Sequence, residues 1–379
     1  MQTEKTYHAA IIGGGLAGLA TAIQLADAGY DVILFEKEKY PFHRVCGEYI
    51  SFESWNFLEE LGVPLSDMQL PHISKLLVSS PGGKMIEQSL PFGGFGISRY
   101  FLDSLMAKIA RQKGVELFEE TKVNDVVYHD GFFSVETATG VYKVIACCGS
   151  FGKKSNLDVQ WKRSFVLHKP NKLNNYIGVK YHIACDFPAD TIALHNFDNG
   201  YCGISKVEDN KYCLCYLTVA ENLRRCGNLI PEMERRILCK NPHLKKIFST
   251  AKFLLPEPVT IAQISFEKKS LIENHILMAG DAAGMITPLC GNGMSMALHA
   301  AKIAFFQILQ FLEGQLSREE MEEQYILQWN AAFAARMKTG RIIQYFFGKP
   351  SLTNLFISTM KPFPSLINKL IRKTHGAAY

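Results

Sequence analysis

Three glycines near the N-terminus constrain this chain more than any other feature. Gly13, Gly15 and Gly18 stand at G-x-G-x-x-G spacing between the apolar run Ala9-Ala10-Ile11-Ile12 and the small-residue stretch Leu16-Ala17-Gly18-Leu19-Ala20-Thr21-Ala22. That pattern predicts a buried strand, a tight turn and a helix. The first glycine permits the turn, the second lets backbone approach a phosphate, and the third lets helix and strand pack closely. The helix N-terminus then offers N–H groups and the positive end of its dipole, a seat for a pyrophosphate.

The flanking residues support this reading. Asp31-Val32-Ile33-Leu34-Phe35-Glu36 reads as a second strand, with Gly29 ending the first helix. Glu36 lies 18 residues beyond Gly18, near the separation expected of an acid that accepts hydrogen bonds from an adenosine ribose. The alternative is an exposed strand-end glutamate beside Lys37. The loop Tyr40 to Ile50, punctuated by Pro41 and Gly47, emerges at the carboxyl edge of the predicted parallel sheet, where ligands of open α/β sheets lie.

Further along, Ser51 to Leu61 reads as a helix stopped by Gly62, and His72 to Leu90 as short strands around Pro81-Gly82-Gly83. Arg99 leads a helix closed by Gly114, Val115 to Phe118 is a strand, and Asp130-Gly131 and Thr139-Gly140 signal hairpins before the strand Val141 to Cys147. From about 155 to 269 the chain is strand-rich, with Tyr176 to Ala184, Thr191 to Phe197, Tyr212 to Val219 and Val259 to Phe266, a helix near Glu232 to Cys239, and a tight turn at Asn199-Gly200. His275-Ile276-Leu277-Met278-Ala279 then runs into Gly280-Asp281-Ala282-Ala283-Gly284, followed by a glycine-containing segment and a long helix through Phe311.

With 47% hydrophobic and 20% charged residues in 379, the composition is that of a globular protein of two or three domains. The sequence shows no apolar run long enough to span a membrane and no signal-peptide pattern, so a cytoplasmic location is expected. The ten cysteines read as reduced thiols without zinc-ligand spacing. The net charge of +5 is uneven: beyond Glu323 there are eight basic residues and no acidic one. No nucleic-acid reading motif accompanies them, so nucleic acid is not expected as a partner. Ile342 to Phe347, Leu355 to Ile357 and Leu366 to Lys373 read as short helices with apolar faces and basic flanks, broken near Pro350 and Pro364. Such helices cover an apolar pocket, or rest on an anionic membrane surface as a peripheral contact.

Three separated motifs carry a resemblance: Gly13-x-Gly15-x-x-Gly18 with Glu36, Arg99 opening a helix, and Ala279-Gly280-Asp281-Ala282-Ala283 with Pro288-x-x-Gly291-x-Gly293. Together they resemble the FAD-dependent oxidoreductases of the para-hydroxybenzoate hydroxylase fold, over about residues 7 to 310. Arg44-Val45-Cys46-Gly47-Glu48 and Gly200-Tyr201-Cys202-Gly203-Ile204-Ser205 resemble the geranylgeranyl reductase branch and its monooxygenase-like relatives. The resemblance implies an α/β fold: a Rossmann-like FAD-binding domain over 1–154 and 270–315, with a small insertion near 72–98, an antiparallel β-rich substrate domain over 155–269, and a basic helical segment over 316–379.

It also implies roles. Asp281 would accept hydrogen bonds from the ribitol hydroxyls; Pro288, Gly291 and Gly293 would pass along the isoalloxazine, with Met294 at the start of the following helix. Arg44 and Arg99 would lie by the cofactor's phosphates. Leu16 and Ala17 at the first helix start, Lys37 and Val123 complete the expected cofactor contacts. Alternatively, Asp281 caps a helix and the arginines pair with surface acids. NADH or NADPH is the expected reductant, although Cys148-Gly149 stands where many hydroxylases of this fold have Asp-Gly. The tryptophan-rich signature of flavin halogenases is absent, as is the tryptophan several prenyl reductases carry near Gly200 to Ser205.

On the substrate side, Cys46 beside the flavin, Glu48 as a proton relay, and Tyr201 or His195 orienting substrate are the candidates; a buried thiol, a loop carboxylate and core rings are the alternatives. Three functions fit: a monooxygenase, hydroxylase or epoxidase in type, acting on an apolar or aromatic small molecule; a reductase of carbon–carbon double bonds in a prenyl lipid; and a non-catalytic lipid- or partner-binding member.

Overall fold

The computed structural model describes residues 5–168, 175–286, 291–346, 350–374, 376 and 378–379. The apolar runs and glycine turns of the first third fold as β1 (Thr6–Ile12), α1 (Leu16–Asp27), β2 (Val32–Phe35), β3 (Tyr49–Ser51), α2 (Trp55–Glu60), β4 (His72–Ser79), β5 (Met85–Gly96), α3 (Arg99–Gln112), β6 (Glu116–Phe118), β7 (Val123–His129), β8 (Phe132–Thr137) and β9 (Val141–Gly149). Then come α4 (Asn156–Gln160), α5 (Ser164–Leu167), β10 (Tyr176–Ala184), β11 (Thr191–Phe197), β12 (Gly200–Lys206) and β13 (Tyr212–Val219), followed by α6 (Ala220–Arg224), α7 (Ile230–Arg236) and α8 (Pro242–Thr250). The last part contains β14 (Lys252–Phe253), β15 (Val259–Ile264), β16 (Ile272–Glu273), β17 (Ile276–Met278), α9 (Gly293–Leu312), α10 (Arg318–Phe346), α11 (Pro350–Met360) and α12 (Pro364–Thr374).

The first sheet has the order β16-β17-β9-β1-β2-β6, with the β7/β8 hairpin joined through β8 to β9. Its four central strand pairings, β17 with β9, β9 with β1, β1 with β2, and β2 with β6, are all parallel. β2 and the Ala9–Ile12 part of β1 are apolar and buried on both faces, as a parallel sheet covered by helices requires. This is the Rossmann-like layer, and β17 returns to it after the whole second sheet has been made.

That second sheet runs β14-β10-β13-β12-β11-β4-β5-β3, with β15 on β10. β4 and β5, which the sequence suggests as a local insertion near 72–98, are built into it, as is β3, read as the end of a loop: β4 pairs with β11 in parallel register, Lys75 opposite Thr191. Two other elements differ from the sequence reading. Ile342 begins no new helix but continues the 29-residue α10, and α8, absent from the sequence reading, starts at the Asn241 cap and buries Leu244 and Ile247 on one face. Pro350 and Pro364 open α11 and α12, the first-turn position where a missing N–H costs nothing.

α9 is long and apolar enough to cross a membrane by composition, which corrects the expectation that no such stretch exists; half of it is buried inside the fold. It packs against α1 and α10 as a core helix.

Candidate active site

One cavity of about 1050 Å³ lies between the two sheets. Gly13, Gly15, Leu16, Ala17, Glu36, Lys37, Arg44, Arg99, Val123, Asp281, Gly291, Gly293 and Met294 all line it, and so do Cys46, Glu48 and Tyr201. Gly18 does not. A Cβ there would lie 2.0 Å from the Gly13 carbonyl oxygen and 2.5 Å from Ser150 Oγ, so this glycine serves close packing of α1 on the sheet. Pro288 falls outside the described residues.

The turn is built to leave room in front of it. Gly13 sits at φ +103°, where a side chain is strained, and a Cβ would meet Phe151 backbone at 2.6 Å. At Gly15 a Cβ would meet only Arg99 Nη2, 3.6 Å away. Among the described residues, neither N-cap position, Gly15 of α1 or Asn292 of α9, supplies a side-chain cap to its helix. Two helix N-termini, from opposite ends of the chain, therefore open into the same space. At Gly293 a Cβ would touch nothing nearer than 4.0 Å. Among the described residues, the open space in front of Gly15 and Gly293 fits a dinucleotide of extended form that reaches from the first turn to the second.

Glu36 is buried at the end of β2. One carboxylate oxygen accepts from Gly14 N–H at 2.9 Å and from Arg44 Nη2 at 2.9 Å; the other accepts from Glu38 N–H at 3.1 Å. The Tyr40 hydroxyl donates to the Gly14 carbonyl. Arg44 and Arg99 converge on Asp103, which is 1% exposed: Arg44 Nε donates at 3.0 Å, Arg99 Nε and Nη2 at 2.6 and 2.7 Å. Burial alone would disfavour the Arg99 charge, and Asp103 more than restores it. Both arginines thus border the cavity while paired to an interior acid, not a surface one.

On the far wall, Glu48 adopts φ 57° and is fully buried. Its carboxylate accepts from Lys180 Nζ, from His182 Nε2 at 2.6 Å and from Arg99 N–H at 2.8 Å. Burial opposes ionisation, but Lys180 and His182 hold the carboxyl well below its usual range. His43, edge-on to His182 at 5.2 Å, is pushed down to about 4 by burial and the Lys180 charge. Cys46 lies in the loop before β3, its carbonyl accepting from Cys213 Sγ at 3.1 Å. Tyr201 projects from β12 into the apolar part, among Leu194, Leu217 and Ile264.

His195 faces the other way. Alternation along β11 sends Ile192 and Leu194 to the cavity, while His195 Nδ1 meets Ser79 Oγ at 2.9 Å and its ring stacks on His243. It is therefore removed from the substrate side.

Sequence reasoning missed Asp103, Lys180, His182, His43 and Lys269. Two signals were available: Asp103 lies four residues after Arg99 on one helix face, and Lys180 and His182 share one face of an otherwise apolar strand. Lys269 is buried, which draws its ammonium down to about 8, and Nζ donates to the Lys153 and Asp281 carbonyls at 2.9 and 2.8 Å. It ties the loop after β9 to the turn after β17.

Residues 8–44 match the family model described as FAD dependent oxidoreductase. Over nearly the whole chain, the structure superimposes on a flavin-dependent brominase, Bmp2, with a TM-score of 0.80 at 18% identity, covering 99% of this chain and 94% of that one. The chain has the fold of the FAD-dependent oxidoreductases. Among relatives, Conditioned medium factor receptor 1 of Dictyostelium discoideum is 24% identical over 368 residues, covering 90% of this chain and 71% of that protein. The digeranylgeranylglycerophospholipid reductase of Methanosarcina acetivorans is 25% identical over 339 residues, covering 85% and 80%. The glycine turn and Glu36 stand at one end of this chain's contribution to the cavity lining, and Asp281 and Gly291 to Met294 come from the other. Trp55, Trp161 and Trp329 are the only tryptophans, and none lines this cavity.

Proposed function

We propose that the chain is an FAD-dependent monooxygenase acting on an elongated apolar small molecule, with NADH or NADPH as reductant. Bound FAD would supply the electron transfer and oxygen chemistry. Gly13, Gly15, Leu16, Ala17 and Glu36 would hold its adenosine diphosphate end, and Asp281, Gly291, Gly293 and Met294 its other end.

The observation that carries this reading is the far arm of the cavity. Leu76, Val78, Ile192, Leu194, Leu217 and Ile264 line it, a wall that admits a hydrocarbon and excludes water. Oxygen insertion asks the protein for position and dryness. Reduction of an isolated double bond also asks for a proton donor, and Glu48, one of the carboxyls that line the cavity, is held ionised by Lys180 and His182.

A second reading has its own support. Digeranylgeranylglycerophospholipid reductases match over most of the chain, and Tyr201 and Cys46 both line the cavity with protons to give. Under that reading the chain reduces carbon–carbon double bonds of a prenyl lipid, with one of these residues as donor.

Product mass decides between them. The FAD-loaded protein, supplied with NADPH or NADH, oxygen and a polyprenyl substrate, is expected to yield a product heavier by one oxygen atom. A product heavier by two hydrogens, formed equally well without oxygen, overturns the monooxygenase reading in favour of the reductase.

A further inference from the structure

α11 and α12 form the outer wall of the cavity's apolar arm. α11 sits on the second sheet through Ile357 and Met360, packed on Ile86 of β5, with Ile367 and Leu370 of α12 against the same cluster, and a hydrogen bond of 2.9 Å from Gln88 Nε2 to Asn368 Oδ1 fixes α12 in register. Phe356 of α11 and Ile367, Leu370 and Ile371 of α12 line the cavity from inside. The same helices carry apolar side chains outward: Leu355 is 61% exposed, Leu366 46%, and Phe363, just before α12, 57%.

These outward residues are not scattered. Phe363, Leu366 and Leu370 follow one another at helical spacing, so one row begins in solvent and ends inside the cavity. Around it, Lys361, Lys369, Arg372 and Lys373 are all exposed. No acidic residue lies anywhere after Glu323. A helix with an apolar row flanked by cations, and no compensating anion on its own segment, matches the interface of an anionic bilayer: the row enters the acyl boundary and the cations meet phosphate headgroups.

We propose that segment 361–373 docks this protein on an anionic lipid surface, so that an apolar substrate passes from the bilayer along Phe363, Leu366 and Leu370 into the cavity. The route of entry rests on the apolar-substrate reading above; the docking itself does not.

The full FAD-loaded chain is mixed with vesicles of phosphatidylcholine alone or with phosphatidylglycerol, and co-sedimentation is measured. Binding is expected only to the anionic vesicles, and to weaken as salt rises. Neutralising three cations (Lys369→Gln, Arg372→Gln, Lys373→Gln) is expected to lower the affinity about 100-fold, about fivefold for each charge. Phe363→Ser with Leu366→Ser removes the apolar row and is expected to abolish binding; unchanged melting temperature and flavin content show that each variant is folded. Equal binding to neutral vesicles, no binding by the wild type, or variants that bind like the wild type overturns the proposal. Self-association that the serine pair abolishes, without vesicle binding, assigns the patch to a second copy and overturns it equally. Failure of the substrate reading looks different: vesicles still bind, but a long-chain alcohol leaves the flavin spectrum unchanged.

Discussion

Glu48 and Lys180 form an ion pair in which neither side chain is exposed, and it joins the loop preceding β3 to the middle of β10. Removing one member strands the other charge in the interior, which costs about 3–5 kcal/mol. Glu48→Gln is therefore expected to lower stability by that amount, whereas Glu48→Gln combined with Lys180→Met loses less than the sum of the two single changes. The pair also sets an acid limit. Although burial opposes ionisation, Lys180 and His182 hold the folded Glu48 below its usual range. The stabilisation is therefore complete above the unfolded value of about 4.3 and is lost as pH falls below it toward the folded value. Thermal melts from neutral to acid pH are expected to show a steeper acid decline in the wild type than in Glu48→Gln.

The glycine turn separates packing from ligand approach. Gly18→Ala places a methyl 2.0 Å from the Gly13 carbonyl oxygen and is expected to destabilise the fold by about 1–3 kcal/mol. Gly15→Ala meets only the Arg99 guanidinium tip at 3.6 Å, so the fold is expected to keep its melting temperature. Its methyl occupies the approach to the phosphate, and FAD affinity is expected to fall at least about tenfold, read by flavin fluorescence titration.

His43 reports on the same ion cluster from the cavity side. Its imidazole is held near 4, by burial first and then by Lys180 and His182. It is expected to stay neutral throughout the physiological range, and its ring resonances to move only in acid. Lys180→Met removes one of the opposing charges, so the midpoint is expected to rise. A His43 midpoint near 6.5 in the wild type would count against this arrangement of charges.

The apolar arm gives a selective block. Leu217→Trp and Leu194→Trp each fill part of the far cavity without touching the glycine turn. FAD binding is expected to be unchanged, while kcat/KM for a long apolar substrate falls at least about tenfold. Loss of flavin along with turnover would show that the two arms are not separable.

Much of the site is legible in the sequence because backbone demands are local. Gly13, Gly15 and Gly18 write a turn into consecutive residues, and Asp281 with Gly291 and Gly293 writes a second one. The strand return at Ile276 to Met278 is visible from its apolar run. What pairs with what is less visible. Arg44 and Arg99 read as cofactor contacts, and only the packing of α3 beside the loop shows Asp103 drawing both inward. Likewise β4 and β5 look like a local insertion because the strand that joins them to the second sheet, β11 beside β4, comes more than a hundred residues later. His195 lies in a stretch read as facing substrate, but strand alternation turns Leu194, not His195, toward the cavity.

The docking of β17 beside β9 has a consequence for how the protein acquires its cofactor. One half of the cradle is synthesised within the first twenty residues, and the other only after residue 280. A chain emerging from the ribosome can form the glycine turn early, yet it has no second helix N-terminus to close on a ligand until about three-quarters of it is made. Pairing elements so distant in sequence is slow, because loop closure precedes the contacts that reward it. Flavin capture is thus expected late in biogenesis, with free FAD acting as a final clamp on a nearly finished fold rather than as a template for its beginning.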